Sequence, residues 1–265
     1  MQKHLVHDLA YYTFDALRAT SDITHAVSTR HGGISASPFD SLNLSRFVGD
    51  ADANVATNWA RLHAALALDA TATVDASQAQ ADHVALVDAR HRGTRIQNVD
   101  ALITRTPNLP LLLRFADCVP ILFYDPVQRA VGIAHAGWRG TVLHIATRTV
   151  QALQAAFGTR PRDLIVGIAP SIGACCYQIG DEVIARVRQT FANADALLIA
   201  QPGGTTHFDL WQANAAQLRA LGVEQIEIAG LCTAHHTAEF FSYRAERGST
   251  GRFGAVIALR VGNLE

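Results

Sequence analysis

ADCVPILFYDPVQRAVGIAHAGWRG, residues 116–140, is the stretch whose reading decides the fold. Two short apolar runs, Val119–Tyr124 and Ala130–Ala134, flank Asp125-Pro126-Val127-Gln128-Arg129, where the Asp and the Pro mark a turn. Both runs are apolar on both alternating faces, the pattern of strands covered on two sides. Paired as a hairpin through an even-numbered loop, they set Asp125 opposite Gln128, Phe123 opposite Ala130 and Cys118 opposite His135. Directly opposed residues hold their Cβ atoms about 4.5–5.5 Å apart, so a thiol and an imidazole would meet at the open end of the hairpin. An odd loop would slip the register and separate them. Pro120 has no N–H to give a ladder, so that end must be an edge, a bulge or a strand start.

Beyond His135, Gly137-Trp138-Arg139-Gly140 leads into a run with helical spacing through Val142, Ile145, Ala146, Thr149, Val150 and Leu153. Strand, glycine turn and helix together aim free backbone N–H groups and a partial positive charge at whatever sits there. Arg139 adds a planar guanidinium suited to phosphate or carboxylate. Cys118, His135 and Arg139 are therefore candidate catalytic residues: a soft ligand pair beside an anion-accepting helix start, suited to a metal-assisted or nucleophilic reaction that uses phosphate. The competing reading is a core cysteine, a hydrogen-bonded core histidine and a turn that only lets the helix pack.

The rest of the chain is consistent with an enclosed α/β protein. At 265 residues, 49% hydrophobic and 17% charged, it can bury a full core and does not read as disordered. A formal net charge of −1 gives no basis for a nucleic-acid or anionic-membrane partner. The N-terminal MQKHLVHDLAYYTFDAL has no unbroken apolar core of a signal peptide, and the four cysteines form neither a spaced disulfide framework nor a C-x-x-C pair. A reduced, cytoplasmic protein is expected. No linker, repeat or low-complexity tract divides the chain, so residues 1–265 read as one domain.

Helices are expected from Ala51 to Leu68, with Asp50 or Asp52 as cap and His63 on the solvent face, from Asp181, and from Asp209 as cap. Short strands are expected at Val84–Val87, Val99–Thr104, Leu164–Ile168, Gln225–Ala229 and Arg252–Leu259. In Thr29-Arg30-His31-Gly32-Gly33 the paired glycines allow a tight turn or a loop whose backbone approaches a ligand. Asp100, an acid at the start of its strand, reads as a turn residue that caps local backbone. Cys175 and Cys176 point opposite ways if extended and read as buried inert thiols, and the adjacent His235 and His236 as loop surface.

Several of these blocks carry a resemblance. STRHGGIS (28–35), SLNLSRFVGD (41–50), VDALIT (99–104), ADCVPILFYDP with AHAGWRG, GIAPSIGACCYQIGDEV (167–183) and FFSYRAERGSTGR (240–252) resemble, in order, the laccase-domain family, also called the YfiH or peptidoglycan editing factor family. The resemblance implies a YfiH-like four-layer α/β/β/α sandwich with mixed sheets, a monomer or a homodimer. It implies purine nucleoside phosphorylase activity on adenosine, inosine, guanosine or methylthioadenosine, with phosphate as co-substrate and adenosine deaminase activity besides. It also implies zinc on Cys118, His135 and a histidine from a Gln-Val-His segment. That segment here reads Gln78-Ala79-Gln80, so zinc is expected to bind weakly or not at all, with His83 pointing away. Arg30, His31, Gln80, Asp100, Ser242 and Arg244 become substrate-contact candidates by the same resemblance. Two other functions compete: a hydrolase in which His135 deprotonates a nucleophilic Cys118, the chemistry a peptidoglycan-editing name suits, and a non-catalytic binding protein. A copper laccase is disfavoured, because the 12 histidines include no His-x-His pair.

Overall fold

The computed structural model describes residues 1–261. The expected hairpin forms, from strands Val119–Asp125 and Ala130–Ala136. Its register is displaced by two residues from the expected one: Asp125 faces Ala130, Phe123 faces Gly132 and His135 faces Pro120. The loop has four residues, because Asp125 Oδ1 accepts from the N–H of Val127 (2.9 Å) and of Gln128 (3.0 Å) and closes a wider turn. An even displacement leaves every side chain on its expected face, which is why the hairpin still presents Cys118 and His135 to a common space.

This hairpin is the centre of a six-stranded mixed sheet. Its order is Gln225–Ile228, Ile165–Ile168, Val119–Asp125, Ala130–Ala136, Ala101–Thr104 and Val84–Leu86. The two outermost pairs are parallel and the inner ones antiparallel. A seven-stranded sheet lies against it, ordered Gln2–Val6, Leu9–Thr13, Ile23–Ser28, Phe253–Leu259, Leu111–Phe115, Val74–Ala76 and Arg95–Ile96. The short strands Gln178–Ile179, Thr206–Phe208 and Leu198–Ala200 form a third sheet.

Strand alternation explains the layers. Leu122 and Tyr124 of the hairpin face the seven-stranded sheet, packing with Leu111, Leu113, Phe253 and Ala255. Ile121 and Phe123 point the other way, into a core with Ile145, Val150 and Leu153 of the helix Ile145–Phe157 and with Leu210 and Leu218 of the helix Leu210–Ala220. On the far side of the seven-stranded sheet, Leu112 and Val256 pack with Leu62 and Leu66 from the helix Asp52–Ala65 and its end. The result is helix, sheet, sheet, helix, as expected. Burial on both faces is why the hairpin strands read as continuous apolar runs. Among the described residues no helix is long and apolar enough to cross a membrane.

Three local expectations are corrected. The helix at 52 has Ala51 at its N-cap position with no side-chain cap; Asp50 instead bonds Ser35, Asn43 and Asn54. His63 is buried, with Nδ1 2.7 Å from the Trp59 carbonyl and Nε2 2.7 Å from Thr73 Oγ1, so its polar atoms are matched inside the core. The segment after Gly137 is a short helix, Trp138–Val142, and the main helix starts only after His144, which sits at φ +63°. Five residues make little macrodipole, so the positive character of this region comes from side chains.

Candidate active site

His135 is the fixed point of the site. Its Nδ1 lies 2.8 Å from Asp100 Oδ1, and its own N–H donates to the Asp100 carbonyl (2.7 Å). Asp100 is fully buried and caps local backbone, as its place at the strand start suggests, besides bonding His135. Oδ1 also accepts from the Gln80 N–H (3.0 Å), and Oδ2 accepts from the N–H groups of Ala79 (3.0 Å) and Ala81 (2.8 Å). One carboxylate thus orients the imidazole and pins the loop that carries Gln80, itself left-handed at φ +56°. These N–H donors and the imidazole outweigh burial and hold the Asp100 carboxyl below its ordinary value.

With Nδ1 committed to Asp100, the other ring nitrogen of His135 is left for Cys118. Burial, the largest single influence, works to lower the imidazole pKa. The Cys118 sulfur and the Asp100 carboxylate together overcome it and raise it to about 9. Cys118 lies against Gly137, where a Cβ would stand 2.9 Å from Sγ; glycine is there because the chain passes too close to the sulfur for a side chain.

Cys118 and His135 border a cleft of about 660 Å³, lined also by Arg139, Arg244, Arg252, Arg114 and Arg95. Arg114 and Arg95 are both paired with Asp75, and Arg114 also donates to the Ala76 carbonyl (2.7 Å). Arg139, Arg244 and Arg252 have no carboxylate partner among the described residues. Arg139 lies over the Trp138 ring and donates to Gln80 Oε1 (3.0 Å); Arg244 lies over Tyr177 and Arg252 over Tyr243. Arg244 also donates to the Cys176 carbonyl (3.3 Å) and Arg252 to the carbonyls of Thr250 (2.9 Å) and Gly251 (2.8 Å), so these contacts hold the guanidiniums at the cleft wall with their charge unneutralised by a carboxylate.

The structure brings some of the sequence candidates together and separates others. Cys118, His135, Arg139, Gln80 and Arg244 line the cleft, with Asp100 directly behind it. Ser242 is buried and donates to Asp117 Oδ1 (2.7 Å), so it supports the cleft wall rather than facing the cleft. Arg30 and His31 are not among the lining residues. Arg30 is spent on the carbonyls of Asp40 and Thr237 and on Glu246, while His31 borders a different hollow beside Lys3 and Asp8. Gly32 and Gly33 do meet a close backbone, but it belongs to Leu9 and Ser41 of this chain, not to a ligand.

Asp117 escaped the sequence reading. It sits at φ +86°, a region where Asp is tolerated better than most residues. It accepts from Thr233 Oγ1 (2.7 Å), Ser242 Oγ (2.7 Å) and the Arg244 N–H (2.6 Å), and its carbonyl accepts from the Ile172 N–H (2.9 Å). Three loops distant in sequence are thereby tied to the residue before Cys118. The one signal was its place beside the cysteine in the opening stretch. Tyr177, Arg114 and Arg252 were equally invisible as cleft residues, because only tertiary packing brings their segments here.

A three-ligand zinc centre does not fit this donor set. The free nitrogen of His135 and the Cys118 sulfur are good ligands, and an imidazole backed by a carboxylate is common in zinc sites. The third position, Gln80, offers an amide oxygen, a poor zinc ligand, and that oxygen already accepts from the cationic Arg139. His83 is exposed, with Nδ1 3.1 Å from the Asn98 carbonyl, and does not line the cleft. Gln80→His is expected to add up to about one zinc per chain beyond what the unaltered protein holds, counted by elemental analysis. Histidine also suits the left-handed backbone at this position. The added zinc should vanish when Cys118→Ala is combined with it, and His83→Ala should change nothing; zinc lost from the unaltered protein on His83→Ala would make His83 a ligand instead.

A mixed α/β scaffold carries a thiol, a carboxylate-backed imidazole and an arginine-lined cleft of small-molecule size. The chain belongs to the family described as multi-copper polyphenol oxidoreductase laccase, whose model matches residues 24–260. It is 36% identical over 248 residues to a protein of Bacillus subtilis (strain 168) named purine nucleoside phosphorylase YlmD, covering 90% of this chain and 89% of that one. A purine nucleoside phosphorylase of Deinococcus radiodurans is 39% identical over 237 residues, covering 89% of each. The crystal structure of YlmD from Geobacillus stearothermophilus superposes with a TM-score of 0.91 at 35% identity, over 97% of this chain and 98% of that one. That of a Bacillus licheniformis hypothetical protein YfiH gives 0.89 at 35% identity, over 96% and 97%.

Proposed function

We propose that this cleft catalyses phosphorolysis of purine nucleosides, the class comprising adenosine, inosine, guanosine and methylthioadenosine, as a cytoplasmic monomer or homodimer. The supporting observation is the meeting of Cys118 and the Asp100-backed His135 with Arg139, Arg244 and Arg252 around a single cleft of about 660 Å³. A space of that size suits a nucleoside together with phosphate. Phe115, Tyr177, Tyr243 and Trp138 give the cleft aromatic walls for a purine, and the arginines stacked on three of them offer charge to phosphate. The names carried by the relatives point the same way.

In this reaction the bond from the sugar C1′ to the purine nitrogen breaks and the electron pair leaves with the base. A phosphate oxygen then bonds to the oxocarbenium-like C1′, and the purine takes up a proton. His135 donates that proton from the nitrogen turned towards the cleft, while Asp100 holds the ring and stabilises its positive charge. The arginines orient phosphate behind C1′, so positioning and charge stabilisation supply most of the rate. Deamination of adenosine makes a different demand, a water activated for attack on the purine ring.

The test is incubation of metal-defined protein with adenosine and phosphate, followed by separation of the products. Phosphorolysis gives adenine and ribose 1-phosphate and depends on phosphate; deamination gives inosine without it. Neither product from any of the four nucleosides would overturn the proposal. Arg139→Lys keeps the charge but loses the planar fork, so phosphate-dependent turnover should fall roughly tenfold, mainly through the KM for phosphate. An equal loss of affinity for the nucleoside would assign Arg139 to the purine side.

A further inference from the structure

Away from Cys118 and His135, a second group of soft donors adjoins the cleft residue Tyr177 in sequence without lining the cleft itself. The ligand atoms of Cys175, Cys176, Cys232 and His235 all lie within 4.8 Å of one another. The expectation that Cys175 and Cys176 diverge assumed extended backbone. They occupy a tight turn instead, in which the N–H groups of Cys176 (2.9 Å) and Tyr177 (3.0 Å) both donate to the Gly173 carbonyl. The turn departs from the extended geometry that would send the two thiols to opposite faces, and it does not bury them as expected: Cys175 is exposed and Cys176 half-buried. The second segment is brought alongside by the bridge between Ser171 and Cys232, and the Gly173 N–H donates to Cys232 Sγ (3.3 Å). Around Cys232 the chain turns again, with the His235 N–H on the Cys232 carbonyl (3.1 Å), and residues three apart in a helical turn share a face. His235, on the exposed loop its sequence suggested, presents Nδ1 at 3.5 Å from Cys175 Sγ.

We infer that Cys175, Cys176, Cys232 and His235 form a closed, four-ligand site for a thiophilic divalent cation of the zinc class, distinct from the Cys118 and His135 pair. Three thiolates and one imidazole are a complete structural zinc set. Metal–ligand lengths of about 2.3 Å to sulfur and 2.0–2.1 Å to nitrogen place tetrahedral donors roughly 3.5–3.8 Å apart, which is the separation of Cys175 Sγ from His235 Nδ1. Four protein donors leave no open position, so the site's role is to hold structure. What it holds is the cleft. The two ligand segments each bond Asp117, through the Ile172 N–H and Thr233 Oγ1. The Cys176 carbonyl accepts from Arg244 (3.3 Å), and Tyr177 is the next residue. A cation here rivets together the two segments that position Tyr177 and Arg244.

The test uses the full chain, purified under reducing conditions and passed through a desalting column. Zinc is counted in the unaltered protein and in Cys118→Ala, Cys175→Ser and His235→Ala; Cys175 and His235 are exposed, so those two changes leave the core intact. About one zinc per chain is expected to persist in the unaltered protein and in Cys118→Ala. It should fall by roughly tenfold or more in the other two variants. Replacement of zinc by cobalt in Cys118→Ala should give thiolate-to-cobalt charge-transfer absorption and tetrahedral visible bands, a readout that requires no change in the cluster. Three results would overturn the inference: zinc that leaves with Cys118→Ala and stays in the cluster variants, no thiolate-to-cobalt absorption in Cys118→Ala, or a disulfide between two of these cysteines in protein purified without reductant.

Discussion

Cys118→Ala is expected to lower phosphorolytic turnover by roughly 10³-fold, the middle to upper range for loss of a group acting at the reacting centre. The sulfur lines the cleft beside His135, the proton donor of the proposed reaction, so its removal strips the imidazole of a partner that helps keep it charged. The cost to the fold should be small. Cys118 is only partly buried, and exchanging its thiol for a methyl group should cost about 1–2 kcal/mol, a shift of a few degrees in Tm. Activity and melting are therefore expected to part company, which is what distinguishes a reacting group from a packing one. A folded Cys118→Ala protein with full turnover would make the cysteine structural.

Asp100→Asn should damage both activity and stability, because one carboxylate serves four donors. Whichever way the amide turns, its NH₂ faces N–H groups that previously had an acceptor, leaving buried polar groups unmatched at a cost of about 3–5 kcal/mol. The variant also has a distinctive pH signature. The His135 pKa is raised from 6.5 to about 9 in the folded protein. Its contribution, on the order of 3 kcal/mol, is therefore complete below pH 6.5 and lost as pH rises through about 9. The Asp100 pKa is lowered, so its contribution is present above the unfolded value of 3.8 and lost as acid protonates it. Urea melts of the unaltered protein should thus lose stability between pH 6.5 and 9, and melts of Asp100→Asn should be nearly flat across that window. Turnover should fall together with the lost proton on His135. An Asn variant that keeps the full alkaline slope would show that another group supplies it.

How much of this was legible in the residues follows from the range of the forces involved. The hairpin, its burial on both faces, the helix capped at Asp209 and the pairing of Cys118 with His135 were readable because they depend on periodicity and on neighbours in sequence. The register was missed by two residues, since the loop length was set by how many N–H groups Asp125 gathers, which periodicity does not report. Asp100 reads as a cap and does cap residues 79–81, but its second contact, to His135, is created only by the fold. Arg30 and His31 looked like substrate contacts and are not cleft residues, because Asp40, Thr237 and Glu246, distant from Arg30 in sequence or across a loop, take up its guanidinium. The cysteine and histidine cluster was dismissed for the same reason in reverse. Backbone turns at Gly173 and Cys232 converge the side chains of two segments almost 60 residues apart, and turn geometry of that kind is fixed by packing rather than by local pattern. By itself the sequence determined the buried hairpin and the nearness of Cys118 to His135, through short-range periodicity and residue chemistry, while the layer order came from the family resemblance. The tertiary structure alone decided which arginines surround that pair, what fixes Asp117 behind it and which soft ligands meet, because each depends on contacts between segments that no local rule brings together.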